Sequence, residues 1–154
     1  MWPRRTRANL EQTRADPVPL FTVPGRPGAK RRPRATMRGG RAGMFNPTEN
    51  VTAEAVIRGE AAPYFPVPFE GPVRIGIIAF FRPPKSWPKK KRAELLRKPH
   101  TQKPDFDNIE KLVCDALNRL AFLDDSQIAD CRTRKLWSEN ERTEIFVAEI
   151  DTGE

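Results

Sequence analysis

The segment VRIGIIAFF, residues 73–81, is the strongest strand signal in this chain of 154 residues. It carries one charge among nine residues, so we predict a central strand. The second strong signal is a helix from Asn108 to Leu120. Its apolar residues recur at helical spacing and form one stripe: Ile109, Leu112, Val113, Ala116, Leu117 and Leu120. Together these two segments predict a small single domain of the α+β class.

Weaker signals precede the central strand. Leu20–Val23 is predicted to be a short strand, and Lys30–Arg34 a basic loop or edge strand. Asn46, with Pro47 next and Glu49 three residues later, is typical of a helix start, and this helix should run to about Arg58. Its inward residues should be Val51, Ala55 and Ile57.

All prolines of the chain lie at or before Pro104, and this position divides the region after the central strand. Residues 86–98 should form a short basic helix, docked by Leu95 and Leu96. Residues 126–136 and 144–150 should form a closing hairpin that turns near residues 138–140. In its first strand the arginines should point outward and the small residues inward: Arg132 and Arg134 against Ala129 and Cys131.

Several classes of protein are excluded by composition. There is no run of 18 apolar residues, and no apolar stretch follows the basic start, so we predict neither a membrane span nor a secretory signal. Two cysteines, Cys114 and Cys131, are too few for a disulfide framework and lack the spacing of a zinc site. We expect core-filling thiols in a reduced, cytoplasmic protein. Residues 1–16 read as a basic, disordered extension, ahead of a domain over 17–151.

The net charge of +8 hides a division by sign. Residues 1–41 hold 11 basic and 2 acidic residues, and residues 82–103 hold 9 and 1. Residues 104–154 hold 6 basic and 13 acidic residues. Basic blocks of this size favour a polyanionic partner, because each neutralised phosphate releases a counterion. An acidic module beside basic arms is what an enzyme needs to grip phosphates and to hold metal ions.

The acidic residues with the clearest pattern precede the long helix. In Lys103-Pro104-Asp105-Phe106-Asp107 the two carboxylates are separated by one residue, so in an extended stretch they share a side and Phe106 points to the core. Lys111 lies one helical turn after Asp107. Asp124 and Asp125 form a second acidic pair. Convergent carboxylates suit Mg²⁺, which keeps waters and binds phosphate oxygens.

Each of these residues also has an ordinary structural interpretation. Asp107 could be an N-cap with Glu110 as its partner, Asp124 and Asp125 could form a turn, and Lys111 could be a solvated helix residue. Taken singly these interpretations are favoured, and together with the flanking basic blocks they lose weight. The segment lacks the ligand and glycine positions of an EF-hand, and the chain has no P-loop and no nucleotide-binding motif.

The strings KPDFDNIEKLVCDALN (103–118) and FLDDSQIADCRTRK (122–135) resemble the RusA family of Holliday junction resolvases. The strand at 20–23 and the basic stretch at 27–34 are also similar, so the resemblance covers about residues 18–150. It implies a RusA-like fold, with a mixed β-sheet flanked by helices, in a homodimer. It also implies a bacterial or phage-encoded endodeoxyribonuclease that uses Mg²⁺, for which Mn²⁺ is a plausible substitute.

The resemblance also implies roles for particular residues. It places metal binding and catalysis on Asp105, Asp107 and Asp125, with Asp124 a weaker candidate, and catalysis on Lys111. From the basic blocks we expect phosphate contacts by a larger group: Lys30, Arg32, Arg34, Lys89, Lys90, Lys91, Arg92 and Lys103. The predicted reaction is paired phosphodiester hydrolysis on four-way DNA junctions, in recombination and repair.

Two other functions stay open at this point. A non-catalytic protein that binds branched DNA would share the basic blocks, and an RNA- or single-strand-binding protein would need aromatic stacking platforms that are weakly represented. Trp87 could stack on a base, although packing is favoured. His100, the single histidine, could serve the acidic site, although a lone loop histidine is more often simply exposed.

Overall fold

The computed structural model describes residues 20–153, with no account of the side chains of Arg38 and Phe45. The predicted extension at residues 1–16 lies outside the described residues. The elements follow in this order: β1 (Phe21–Pro24), β2 (Arg34–Arg38), β3 (Arg41–Phe45), α1 (Thr48–Ala61), β4 (Val73–Phe81), α2 (Lys89–Leu95), α3 (Phe106–Leu117), β5 (Ile128–Trp137) and β6 (Arg142–Glu149). Short 3₁₀ turns lie at Ala62–Tyr64 and Asp125–Gln127. No described helix has the length and apolar character needed to cross a membrane.

The main sheet has four strands in the order β1-β6-β4-β5. β4 is central as predicted: it pairs antiparallel with β6 and parallel with β5. The sheet is therefore mixed, and the α+β class is confirmed. The predicted hairpin between β5 and β6 is wrong, because β4 lies between them. The apolar β4 takes the interior position, whereas β5, with exposed Arg132 and Arg134 on its outer side, occupies an edge.

The core lies between this sheet and the apolar face of α3. The predicted stripe is confirmed, since its first five residues are buried, and Leu120 is half-buried just beyond the end of the helix. In β5, Cys131 packs against the core as predicted, but Ala129 is exposed. Cys114 of α3 meets Cys131, and this contact together with burial raises the pKa of the Cys131 thiol.

The helix α1 packs against α3 with a face that matches the predicted one only at Ile57. Val51 and Ala55 are exposed, while Asn50 and Ile57 are buried. The predicted cap is also wrong: Pro47 occupies the N-cap position, and no side chain caps the helix. Asn46 Oδ1 instead accepts a hydrogen bond from Asn50 Nδ2 at 2.8 Å. The helix therefore begins at Thr48, one residue later than predicted.

The basic helix is shorter than predicted, because Pro88 precedes it at the N-cap position and it ends at Leu95. Leu95 and Trp87 pack against the core from this segment. The residues after α2 then pair with the end of β5, through Arg97 N to Trp137 O (2.9 Å) and Trp137 N to Lys98 O (3.0 Å). These bonds place α2 at the same end of the sheet as the C-terminus of β5.

Candidate active site

The acidic pair lies where α3 begins. The helix starts at Phe106, so Asp105 occupies the N-cap position by its backbone and Asp107 lies in the first turn. The predicted capping box at Asp107 is wrong, since neither side chain caps the helix: Asp107 accepts a hydrogen bond from Asn108 N at 3.0 Å, and Glu110 accepts one from Thr133 Oγ1 at 2.8 Å. The Glu110 contact ties α3 to β5. Both aspartates are exposed to solvent.

A cleft of about 690 Å³ opens beside this pair. Its walls come from three segments: Asp105–Asp107 at the start of α3, Pro99 and His100 before it, and residues 133–136 of β5. Phe106, which the sequence predicted to point into the core, is 59% exposed and lines the cleft. The helix begins at Phe106, two residues earlier than predicted, so an alternation typical of extended backbone does not apply to Phe106.

Two lysines act on the Asp105 carboxylate. Lys103 Nζ donates to both oxygens of Asp105, at 2.8 and 2.7 Å, and this contact holds the pKa of Asp105 below its ordinary value. Lys135 also stabilises the Asp105 carboxylate, while burial lowers the pKa of Lys135 itself. The Asp105 carboxylate is therefore charged at neutral pH and already in contact with a cation.

His100 is buried in this cleft wall, with 6% of its surface exposed, so the expectation of a simply exposed histidine is wrong. Its ring lies 4.1 Å from the Phe81 ring and 4.3 Å from the Trp137 ring, measured between centroids. Its Nδ1 atom is buried without a hydrogen-bond partner. Burial, followed by the charges of Lys135 and Arg26, lowers the pKa of His100 to about 4. The imidazole is therefore neutral in the physiological range.

The second acidic pair lies far from the first. Asp125 belongs to the turn before Ile128, the first residue of β5, whereas Asp105 lies beside Lys135, seven residues along that strand. At about 3.3 Å per residue the separation is on the order of 20 Å. Asp124 Oδ2 accepts a hydrogen bond from Ser126 N and caps the turn, as its ordinary interpretation predicted. Within residues 20–153, no three acidic, histidine or cysteine side chains converge on one metal position.

A pair of carboxylates still fits a hard divalent cation. Mg²⁺ is commonly held by one or two carboxylates, with substrate phosphates and waters completing its shell. Asp105 and Asp107 supply oxygen donors of that kind in an open cleft. Lys111 is exposed one turn further along α3. Of the three predicted ligands, Asp105 and Asp107 therefore lie in one cleft of a single chain, and their metal binding stays a prediction.

The first basic block is tied to the first turn of α3 and to α1. Lys30 N donates to Asn108 O in the first turn of α3 at 2.8 Å. The buried Asn50 side chain accepts from Arg31 N at 2.8 Å and donates to Arg31 O at 2.9 Å. Arg32 and Arg34, which follow, are exposed. These contacts carry the basic loop to the edge of the candidate site.

The eight predicted phosphate-contacting residues differ in availability. The Lys30 ammonium is half-buried between Glu54 Oε1 (2.5 Å) and Asp115 Oδ2 (2.8 Å), so it serves the fold. Arg92 is half-buried and pairs with Glu139 at 3.5 Å. Lys103 is bound to Asp105. The remaining five are exposed: Arg32, Arg34, Lys89, Lys90 and Lys91.

Trp87 is packed, as the sequence favoured. Its ring lies 5.6 Å from the Trp137 ring, and Lys91 Nζ lies 4.0 Å from its centroid. Sequence reasoning missed Lys135 as a site residue. The available signal was a lysine in a strand whose other residues were predicted to be outward arginines and inward small residues. Its proximity to Asp105 could not be predicted, because it depends on tertiary contacts.

An acidic pair in an open cleft, with exposed cations on neighbouring segments and a mixed sheet beneath, is typical of proteins that handle phosphate esters of nucleic acids. The chain belongs to the RusA endodeoxyribonuclease family: the family model described as Endodeoxyribonuclease RusA matches residues 24–148. The resemblance drawn from the sequence is thereby confirmed. Membership implies Holliday junction endonuclease activity, the binding of branched DNA and a general dependence on divalent metal.

A relative is similar over most of both chains. A Bacillus subtilis (strain 168) protein, described as "Uncharacterized protein YqaN", is 38% identical over 137 residues. The match covers 84% of this chain and 95% of that protein. The shared region is therefore a nearly complete protein in its own right.

Proposed function

We propose that residues 17–151 form a Mg²⁺-dependent endonuclease that resolves four-way DNA junctions by paired phosphodiester hydrolysis in recombination and repair. The observation that carries the proposal is the exposed pair Asp105 and Asp107, in a cleft between two basic segments. A carboxylate pair alone repels phosphate, and a basic surface alone binds DNA without cutting it. The juxtaposition supports hydrolysis.

Asp105 and Asp107 would hold Mg²⁺, with Mn²⁺ as a substitute. When bound, the metal supplies a lowered pKa for a coordinated water and charge neutralisation at the scissile phosphate. Lys103 and Lys135 hold the Asp105 carboxylate in its charged form. Lys111, one turn along α3, stabilises the negative charge that develops on the phosphate. The neutral His100 completes the cleft wall without adding charge.

The separation of Asp125 from the acidic pair bears on the homodimer. We infer that, if Asp125 is a ligand, it reaches the site of the second subunit, because it lies on the order of 20 Å away within one chain. Mixing Asp105→Asn chains with Asp125→Asn chains tests this. Mixed dimers that share ligands across subunits regain one intact site and nick one strand, and mixed dimers with ligands from a single chain stay inactive.

DNA would be held by exposed cations on both sides of the cleft. Arg32 and Arg34 lie on the α1 side, and Lys89, Lys90 and Lys91 lie on α2, near the end of β5. Contacts of this kind position the backbone and carry no base information. The test is nicking of a synthetic four-way junction in Mg²⁺, compared with EDTA and with a linear duplex of the same sequence. Junction-selective, EDTA-sensitive nicking supports the proposal, and equal cutting of the duplex makes the protein a general endonuclease.

A second candidate function is binding of branched DNA without cleavage. The observation in its favour is that Lys103 already occupies both oxygens of Asp105. A protein of this kind shifts the junction in a gel but leaves its strands intact under both Mg²⁺ and Mn²⁺.

A further inference from the structure

The two-stranded sheet β2–β3 stands apart from the four-stranded one. Its register pairs Arg34 with Phe45 and Arg38 with Arg41, and it pairs with no other described strand. Gly39 and Gly40 connect the strands and both have positive φ, of 58° and 74°. A two-residue loop with both φ angles positive is the tight hairpin turn that matches the twist of its strands. An isolated two-stranded hairpin is marginally stable in water, so a partner surface would stabilise this one.

The two faces of this hairpin differ in chemistry. Cross-strand partners share a face, so the pairs Ala35–Met44 and Met37–Ala42 form one apolar face. Met37 is 72% exposed and Met44 is 68% exposed. The opposite face carries Arg34, Thr36 and Arg41. The apolar face has no packing partner in the described part of the chain.

Charge identifies the occupant of this face. Residues 30–48 contain six basic residues and no acidic one. Two such hairpins repel each other, which disfavours face-to-face pairing of two copies, whereas a polyanion is attracted. A two-stranded ribbon fits a DNA groove, and methionine is among the apolar side chains that wedge between base steps. Its flexible thioether adapts to an irregular surface.

We propose that the β2–β3 hairpin is a DNA wedge, whose Met37 and Met44 insert against unstacked bases at the branch point while the arginines of the other face contact phosphates. At a branch point the continuous base stack is interrupted, so insertion costs less there than within a duplex. The hairpin thereby selects branched DNA over linear DNA. This deepens the proposed function and rests on it only for the identity of the ligand.

The test compares full-length wild-type protein with Met37→Gln/Met44→Gln and with the apolar control Met37→Leu/Met44→Leu. Each protein is titrated in EDTA against a four-way junction that carries 2-aminopurine beside the branch point, and against a duplex with the same probe. Wild type and the Leu control should raise the junction fluorescence by unstacking the probe. The Gln variant should show no rise in fluorescence. It should bind the junction about tenfold more weakly for each methionine replaced, because burial of a methionine side chain is worth at least that factor. Its affinity for the duplex should stay within about twofold, since the arginines are unchanged.

Equal fluorescence and equal junction affinity for all three proteins would overturn the proposal. Conversion of a dimer to a monomer by the Gln variant, but not by the Leu control, would also overturn it, because the face would then be covered by a second copy. Thermal unfolding shows that each variant is folded at the assay temperature. Because the readout is fluorescence in EDTA, a failure of nicking and a failure of the wedge are recorded separately.

Discussion

The buried His100 should make the free energy of unfolding depend on pH, and a single substitution can isolate its contribution. The pKa of His100 is lowered from 6.5 to about 4 in the folded protein by burial and by the charges of Lys135 and Arg26. As the pH falls below 6.5, His100 binds a proton in the unfolded chain, whereas in the folded chain it stays neutral until about pH 4. Stability is therefore lost between these values. The full difference corresponds to about 3 kcal/mol, and screening at the cleft surface reduces our expectation to about 2 kcal/mol.

The perturbation that isolates this effect is His100→Phe. An aromatic ring retains the contacts with Phe81 and Trp137 and removes both the titrating group and the unpartnered Nδ1. The assay is denaturant unfolding of both proteins from pH 8 to pH 4. Since His100 is the single histidine, the carboxylates titrate alike in both proteins and cancel in the difference. Wild type should lose about 2 kcal/mol relative to the variant over this range. Two parallel curves would refute the assignment of a buried, neutral imidazole.

Two further predictions concern the basic loop. Asn50→Ala should reduce the free energy of unfolding by about 2–3 kcal/mol, because three hydrogen bonds of a buried amide are lost. Asn46→Ala removes one of these bonds and should reduce it by about 1 kcal/mol. Denaturant unfolding measures both changes. Arg32→Met should reduce the slope of log affinity against log salt by about 1 on junction DNA. Lys30→Met should leave that slope unchanged and lower the free energy of unfolding instead, because the Lys30 ammonium lies between the carboxylates of Glu54 and Asp115. A reduced slope for Lys30→Met would contradict the structure.

The sequence predicted the elements whose signals are local. The apolar run of β4 and the stripe of α3 each contain enough periodic residues to determine both type and burial. Strand pairing depends on distant segments, and so the insertion of β4 between β5 and β6 was missed. The face of α1 was predicted correctly only at Ile57, because a buried asparagine, Asn50, replaces an apolar residue at an inward position and the helix start differs.

The candidate site divides in the same way. Asp105 and Asp107 are separated by one residue in sequence, and both line the cleft. The contact of Lys103 with Asp105 was not predicted. The contributions of His100 and Lys135 depend on the packing of β5 against the start of α3. Asp125 was grouped with the acidic pair through the family resemblance, but the length of β5 separates them within one chain. Its role as a ligand stays a prediction that depends on a second subunit.

The most direct test of the central claim is strand nicking of a four-way junction by wild type, Asp105→Asn and a matched control, Asp151→Asn, in Mg²⁺. Asp151 is an exposed aspartate near the C-terminus and outside the cleft. We expect wild type and the control to nick the junction in a metal-dependent way, and Asp105→Asn to bind it without cutting. Undiminished nicking by Asp105→Asn would contradict the assignment of catalysis to the acidic pair at the start of α3.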